Sequence, residues 1–325
     1  MCIRNRMGMS VAVCLSAAFM ASLAFAQETV RVGLQAVPTD EVYKARNWGE
    51  PYDLTVEISS YSSATDSIKA FLANRVDIAN GGAARLVTMA AVQPDDFYMI
   101  AVNQYGGDRY GVFTAVDSDY KTIEDLKGKK IGAVTGSGTY NTFRVFLEKN
   151  GMAESDFQVV NMKVEDLRAA VQQGIIDAAV GWEPHVAIAE TMGVAKRIIS
   201  LDGVNESPNF VLVRRDFADA NRQAVVKYLA TLIDLGTLIK EKPDEAATLA
   251  AEQISKSGVE VDKKALEIAL TRIKMDPELT DDLLNELVPI AESMAAANKI
   301  KAVPEFKQLV KLDFYNEAVE LAKSR

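Results

Sequence analysis

The residue types that do covalent chemistry are nearly absent from this chain. Its 325 residues include one histidine, His185, and two cysteines, Cys2 and Cys14. No His/Cys cluster can therefore hold a metal. No G-x-S-x-G elbow is present. The segment Gly132-Ala-Val-Thr-Gly136-Ser137-Gly138 is glycine-rich, but it lacks the lysine of a P-loop and the spacing of a dinucleotide fingerprint. Nothing near His185 looks like a catalytic partner, so that side chain reads as structural or exposed. The sequence predicts no catalytic residue, no metal and no cofactor.

Binding chemistry is better represented. Gly136-Ser137-Gly138-Thr139 opens a helical pattern. Unpaired backbone N–H groups and the positive end of the helix dipole suit a small anion such as a sulfonate, carboxylate or nitrate. An ordinary N-cap fits the same residues. Four further segments follow apolar runs: Gln35 to Asp40, Ser59 to Thr65 with Ser62 and Ser63, Gly81-Gly82-Ala83-Ala84, and Trp182-Glu183-Pro184-His185. In open α/β sheets ligands sit beyond the carboxyl ends of the strands, so small and hydroxylated residues there predict a polar pocket. Trp182 could wall it, and Glu183 could take an ammonium group or orient other donors. The competing reading makes Trp182 core and Glu183 a helix cap. Arg109, in Tyr105-Gly106-Gly107-Asp108-Arg109-Tyr110, could meet an anionic ligand or close a surface or interlobe salt bridge. Arg85 stands in the same position.

These residues need strand ends to carry them. Short apolar runs predict strands at 30–34, 54–58, 76–79, 98–102, 111–115, 130–134, 158–161, 175–180, 197–200 and 210–213. Helical patterns lie between many of them, at 66–74, 83–91, 139–149 and 164–173. This alternation predicts α/β layers with largely parallel sheets. From Asn221 onward only helices are predicted: 221–240, 244–255, 263–273, 281–297 and 313–323, punctuated by Pro243, Gly258, Pro277 and Pro304. One unit occurs twice. Asp66 to Phe71, then four residues, then Val76-Asp77-Ile78-Ala79, matches Asp166 to Val171, then four residues, then Ile176-Asp177-Ala178-Ala179. Two lobes built to one plan would explain it, as would the free recurrence of such units in α/β proteins. Crossovers near 111–117 and 201–208 would make residues 116–204 a second lobe inserted into a first lobe of 27–115 and 205–325.

Composition narrows the partners. The net charge is −9, which disfavours nucleic acid. The N-terminus carries Arg4 and Arg6, an apolar run over 11–25 and the small-x-small site Ala24-Phe25-Ala26. That is a signal peptide, residues 1–26, cleaved after Ala26 for export to the periplasm. Cys14 is preceded by Val13 and followed by most of the apolar run, which rules against a lipidated cysteine. Cleavage removes both cysteines and two positive charges, taking the net charge from −9 to −11. No later run is long enough to span a bilayer, and no heptad seam is visible, so a soluble monomer is expected.

The ordered set Ile123-Glu-Asp125-Leu126-Lys127-Gly128-Lys129-Lys130-Ile131 with Gly136-Ser137, Phe146-Leu147-Glu148-Lys149-Asn-Gly151, Ala169-Ala170 with Gly174 and Ile176-Asp177-Ala178, and Trp182-Glu183-Pro184 resembles the periplasmic binding proteins of nitrate/sulfonate/taurine-type ABC importers. The resemblance covers most of the chain after residue 26 and is weakest in the helical C-terminus. It implies a two-lobed, type II-like binding-protein fold, each lobe a mostly parallel sheet flanked by helices. It further implies hinge closure on a small-molecule solute and docking to a permease with a separate ATPase. By this resemblance the ligand-binding residues are Gln35, Ser62, Ser63, Gly82, Ala83, Ser137, Thr139, Trp182, Glu183 and Asn209, joined by Arg109. Two departures stand out. Pro38 to Asp53 carries Trp48-Gly49-Glu50-Pro51-Tyr52 where the family has a longer segment with a glycine-containing helix. Gly81 to Ala84 lacks the hydroxyl and proline common at that loop. A related branch that makes a thiamine precursor uses a cysteine-rich motif, which residues 27–325 lack. An enzyme, for example a pyrimidine-precursor protein, and a sensor-linked receptor on the same fold are the alternatives.

Overall fold

A computed structural model describes residues 27–325; the expected signal peptide lies outside the described residues. In chain order the strands are β1 (Glu28–Gln35), β2 (Leu54–Tyr61), β3 (Ile78–Gly82), β4 (Phe97–Gln104), β5 (Tyr110–Ala115), β6 (Lys130–Ala133), β7 (Gln158–Asn161), β8 (Ala178–Trp182), β9 (Ala195–Ser200) and β10 (Asn209–Arg214). The helices are α1 (Pro38–Lys44), α2 (Ala64–Leu72), α3 (Ala83–Val92), α4 (Gly138–Lys149), α5 (Val164–Gln172), α6 (His185–Thr191), α7 (Arg215–Ala220), α8 (Arg222–Glu241), α9 (Pro243–Ser255), α10 (Lys263–Thr271), α11 (Asp281–Asn285), α12 (Leu287–Ala296) and α13 (Leu312–Lys323).

Two five-stranded sheets result, ordered β2-β1-β3-β10-β4 and β7-β6-β8-β5-β9. In the first, β1 runs parallel to β2 and β3, while β10 is antiparallel to β3 and β4. In the second, β6 runs parallel to β7 and β8, while β5 is antiparallel to β8 and β9. Each lobe is thus mostly parallel, and its one antiparallel strand is the strand that immediately follows a crossover. Residues Tyr110–Ala115 therefore belong to the second sheet. The expected boundary at 115/116 moves back to the crossover at 105–109. An apolar run such as 111–115 carries no local mark of which sheet it joins.

The repeat has a physical basis in both lobes. Asp77 accepts from the Arg31 backbone N–H at 3.0 Å and donates its own N–H to the Arg31 carbonyl at 2.7 Å. Asp177 does the same with Lys130, at 2.9 Å in each direction. The preceding helix ends alike in the two copies. Arg75 N–H donates to Ala70 and Ile175 N–H to Ala170, each at 2.9 Å. The residue before each lies in the left-handed region, Asn74 at φ 57° and Gly174 at φ 68°, as a helix C-terminus commonly requires. These turns use up Val76 and Ile176. That is why β3 and β8 begin two to three residues later than the apolar runs suggest.

The first sheet is covered on both faces, which explains the unbroken burial of β4. Val30, Val32, Tyr43, Val211, Tyr228 and Leu266 share one core with helices α1, α8, α9, α10 and α13. Ile68, Phe71, Ala79, Leu86, Phe210 and Leu287 share the other with α2, α3, α11 and α12. The predicted helix at 281–297 is split at Glu286. Pro289 lacks an N–H for the Asn285 carbonyl, and its ring crowds that group.

At the crossovers Gly106 has φ 104°, a conformation open to glycine and few others. Its N–H donates to the Glu206 carbonyl at 2.8 Å, joining the two connections. The segment after α10 pairs alongside, with Tyr105 and Lys274 exchanging backbone hydrogen bonds at 3.0 Å each way.

Candidate functional site

A cleft of about 780 Å³ lies between the sheets. Its walls are strand ends and the helix starts that follow them. Gln35 and Val37 come from the end of β1, Ser62 to Asp66 from the start of α2, and Gly82, Ala84 and Arg85 from the start of α3. The second lobe supplies Val134 to Thr139 at the start of α4, Asn161 to Lys163 before α5, and Trp182 and Glu183 before α6. Arg109, Tyr110, Ser207 and Asn209 form the crossover side.

Ten of the eleven expected residues line this cleft: Gln35, Ser62, Ser63, Gly82, Arg109, Ser137, Thr139, Trp182, Glu183 and Asn209. Ala83 does not. It is the first residue of α3, buried in that lobe's core, and its neighbours Ala84 and Arg85 take the wall instead. The segment Gln35 to Asp40, expected as a loop, turns into α1 at Pro38, a residue suited to the first helical position. Arg85, Thr88, Gln104, Tyr110, Asn161, Lys163, Ser207, Ile273 and Met294 also line the cleft. Of these the sequence pattern singled out Arg85 alone, as a possible partner for an anion.

Several expected donors serve the protein itself. Ser63 caps α2, accepting from Asp66 N–H at 3.3 Å and donating to the Asp66 carboxylate at 2.9 Å. Ser62 donates to the same carboxylate at 3.3 Å. Ser137 caps α4, accepting from Tyr140 N–H at 3.1 Å, which leaves its own proton free. Gln35 donates its amide to the Asn80 carbonyl at 3.2 Å. Behind it the buried Asp40 accepts from Gln35 N–H at 2.7 Å and Asn103 at 2.9 Å. Burial pushes the Asp40 carboxyl up to about 6, against the pull of those two donors.

Glu183 is not a free carboxylate. It is buried, with one oxygen 2.7 Å from Arg272 and the other accepting from Ala187 N–H at 3.0 Å. Arg272 also bonds Glu190 at 2.7 Å. The reading in which Glu183 takes an ammonium group is therefore corrected: it caps α6 and ties the second lobe to the segment after α10. Burial raises its pKa, while Arg272 holds it down. Trp182 meets His185 edge-on at 6.0 Å. Burial pushes the His185 imidazole down to about 4, so it is neutral at ordinary pH.

Among the charged residues that line the cleft, Arg109 alone is both buried and without an ion pair among the described residues. It is 2% exposed. One guanidinium nitrogen donates to the Tyr110 hydroxyl at 2.6 Å and to the Ser207 carbonyl, and the guanidinium lies 4.6 Å from the Tyr110 ring centre. Its other terminal nitrogen and Nε have no partner. No carboxylate among the described residues pairs with it, so neither salt-bridge reading holds. A buried cation left without a counter-charge is costly. An anion in the cleft would supply it, assisted by the N-termini of α2, α3, α4 and α5.

Residues 42–246 match the family described as NMT1/THI5 like. Among similar proteins are a supposed aliphatic sulfonates-binding protein of Bacillus subtilis, 24% identical over 90% of this chain and 88% of its own, and the taurine-binding periplasmic protein of Escherichia coli, 26% identical over 88% and 92%. The crystal structure of the periplasmic aliphatic sulphonate binding protein SsuA from Escherichia coli matches with a TM-score of 0.75 at 20% identity, over 88% of this chain and 92% of that one. The fold is therefore that of the periplasmic binding proteins. The desulfurization enzyme DSZB shares it at a TM-score of 0.69 and 15% identity, over 92% of this chain and 100% of its own, so the fold alone does not separate receptor from enzyme.

Proposed function

The chain belongs to the NMT1/THI5-like family, and on that premise we propose that it is the periplasmic solute-binding component of an ABC importer, capturing a small anionic solute of the sulfonate, carboxylate or nitrate class between its lobes. The observation that carries this reading is Arg109, a buried guanidinium with two unpartnered nitrogens in the wall of a cleft ringed by helix N-termini. The similarity to sulfonate- and taurine-binding proteins supports it. The protein works outside the inner membrane after loss of residues 1–26, as a monomer, and delivers its solute to a permease driven by a separate ATPase. Among the described residues no helix is long and apolar enough to cross a membrane.

The test is a thermal-shift screen of the purified protein against organic sulfonates, carboxylates and nitrate, followed by calorimetry. An anion at a hundred times its Kd should add about 2.7 kcal/mol to the folded state. Arg109→Met removes two charge-assisted hydrogen bonds worth about 1.5–3 kcal/mol each, so affinity should fall at least about 100-fold. The ligand should be recovered chemically unchanged. Unaltered affinity in R109M, or conversion of the ligand, would overturn the reading.

A further inference from the structure

Resting on the receptor reading, we propose that the cleft is built for a solute that carries two anionic groups and no ammonium group. The charges on its walls do not balance. Two lining residues are carboxylates, Asp66 and Glu183, and both are occupied. Asp66 is paired with Lys69 at 3.1 Å and accepts from Ser62 and Ser63. Glu183 is paired with Arg272. Three lining residues are cations, Arg85, Arg109 and Lys163, and none makes an ion pair among the described residues. Behind the Gln35 wall, Asp40 is buried and saturated by two donors.

The three cations are arranged unequally. Arg109 is buried at the crossover. Arg85 and Lys163 are exposed and come from opposite lobes, at the start of α3 and just before α5. The first turn of α3 contains no acid. Glu165 and Asp166 occupy the first turn of α5 but do not line the cleft. One anionic group on Arg109 therefore leaves two like charges that approach from both rims when the lobes close on it. A second anionic group toward the rim turns that repulsion into a bridge between lobes. An ammonium group at the same place would meet cations on both sides and no free carboxylate. The volume, about 780 Å³, exceeds what a two-carbon solute needs, since clefts of about 300–1,000 Å³ enclose much larger ligands.

Calorimetry on three matched series of sulfonates tests this, with two, three or four methylenes ending in methyl, carboxylate or ammonium. At the best chain length the carboxylate should bind about tenfold tighter than the methyl compound, as two exposed ion pairs of up to about 1 kcal/mol each allow, and the ammonium compound should bind weakest. The advantage should shrink as ionic strength rises. Arg85→Gln and Lys163→Gln should each reduce the carboxylate's advantage over the methyl compound severalfold, and ligand-free melting temperatures close to wild type show that the variants fold. If the methyl sulfonates bind but the carboxylates bind no tighter at any length, or the ammonium series binds best, this proposal fails and the receptor reading stands. If no member of any series binds, this proposal falls, and the receptor reading rests on the carboxylate and nitrate arms of the thermal-shift screen.

Discussion

Replacing Arg272 with methionine isolates the contact that ties the two lobes beside the cleft. Arg272 follows α10, and it bonds Glu183 and Glu190, both at 2.7 Å, on the far side of the cleft. The side chain of Glu183 is 1% exposed and that of Arg272 18%. Removing one partner of a buried pair costs about 3–5 kcal/mol, because the other charge is left in low dielectric. The partial exposure of Arg272 favours the lower end, about 3 kcal/mol. At about 2 °C per kcal/mol for a chain of this size, Arg272→Met should melt roughly 6 °C below wild type. The sign of its pH dependence follows from burial, which already raises the Glu183 carboxyl. Without Arg272 that carboxyl rises further, so the folded variant binds the proton more tightly than the unfolded chain. Its stability is then greatest at low pH and falls as pH climbs through the raised value. The deficit against wild type should therefore be large at neutral pH and shrink toward pH 5. Glu183→Gln added to Arg272→Met should recover at least about 1.5 kcal/mol, since the stranded charge is gone. Differential scanning calorimetry of the three proteins across pH provides the readout. A single variant that melts within a degree of wild type at every pH, or a double variant that gains nothing, would show that the pair does not hold the lobes together.

Two other perturbations address the hinge and the wall behind Gln35. A Cβ at Gly107 would overlap the Leu201 carbonyl oxygen and sit 3.0 Å from that of Asn205. Gly107→Ala should thus cost about 3 kcal/mol, whereas Gly136→Ala, at φ 84° with open space around it, should cost only about 1 kcal/mol; equal melting temperatures would mean the crossovers are not packed as described. Asp40, raised to about 6 by burial, contributes stability that is full below about pH 4 and lost as pH rises through 6. The loss amounts to about 3 kcal/mol. Urea unfolding between pH 4 and 7 should show that decline in wild type relative to Asp40→Asn, and parallel curves would refute it.

Much of the architecture could be read from local signals. Ser137 at an N-cap and the Asp77/Asp177 repeat each act over a few residues or one strand neighbour, so their types and spacing reveal them, whereas α1 begins at Pro38 inside a segment that the sequence pattern gives as a loop. The cleft wall is visible for the same reason, because strand ends that open helices share a composition. Pairings between distant residues leave no such trace. Arg272 and Glu183 are 89 positions apart, and Arg109 and Ser207 are 98. Nothing in the W-E-P motif tells that its carboxylate is neutralised from the C-terminal region, and nothing around Arg109 tells that it finds no acid.

That distinction decides the sign of the site. A chain of net charge −9 should repel anions on average, and its long-range field does so weakly across a Debye length of about 8 Å. Inside the cleft the average is irrelevant. What a ligand meets is the residue of charge left after each group has found its partner. There the two acids are neutralised while Arg85, Arg109 and Lys163 are not. An acidic surface disfavours polyanions, whereas the few unpaired cations would act only on a solute small enough to enter between the lobes. Under the proposed function, selectivity for small anions over nucleic acid would follow from where the compensation fails, and net charge alone could not have revealed it.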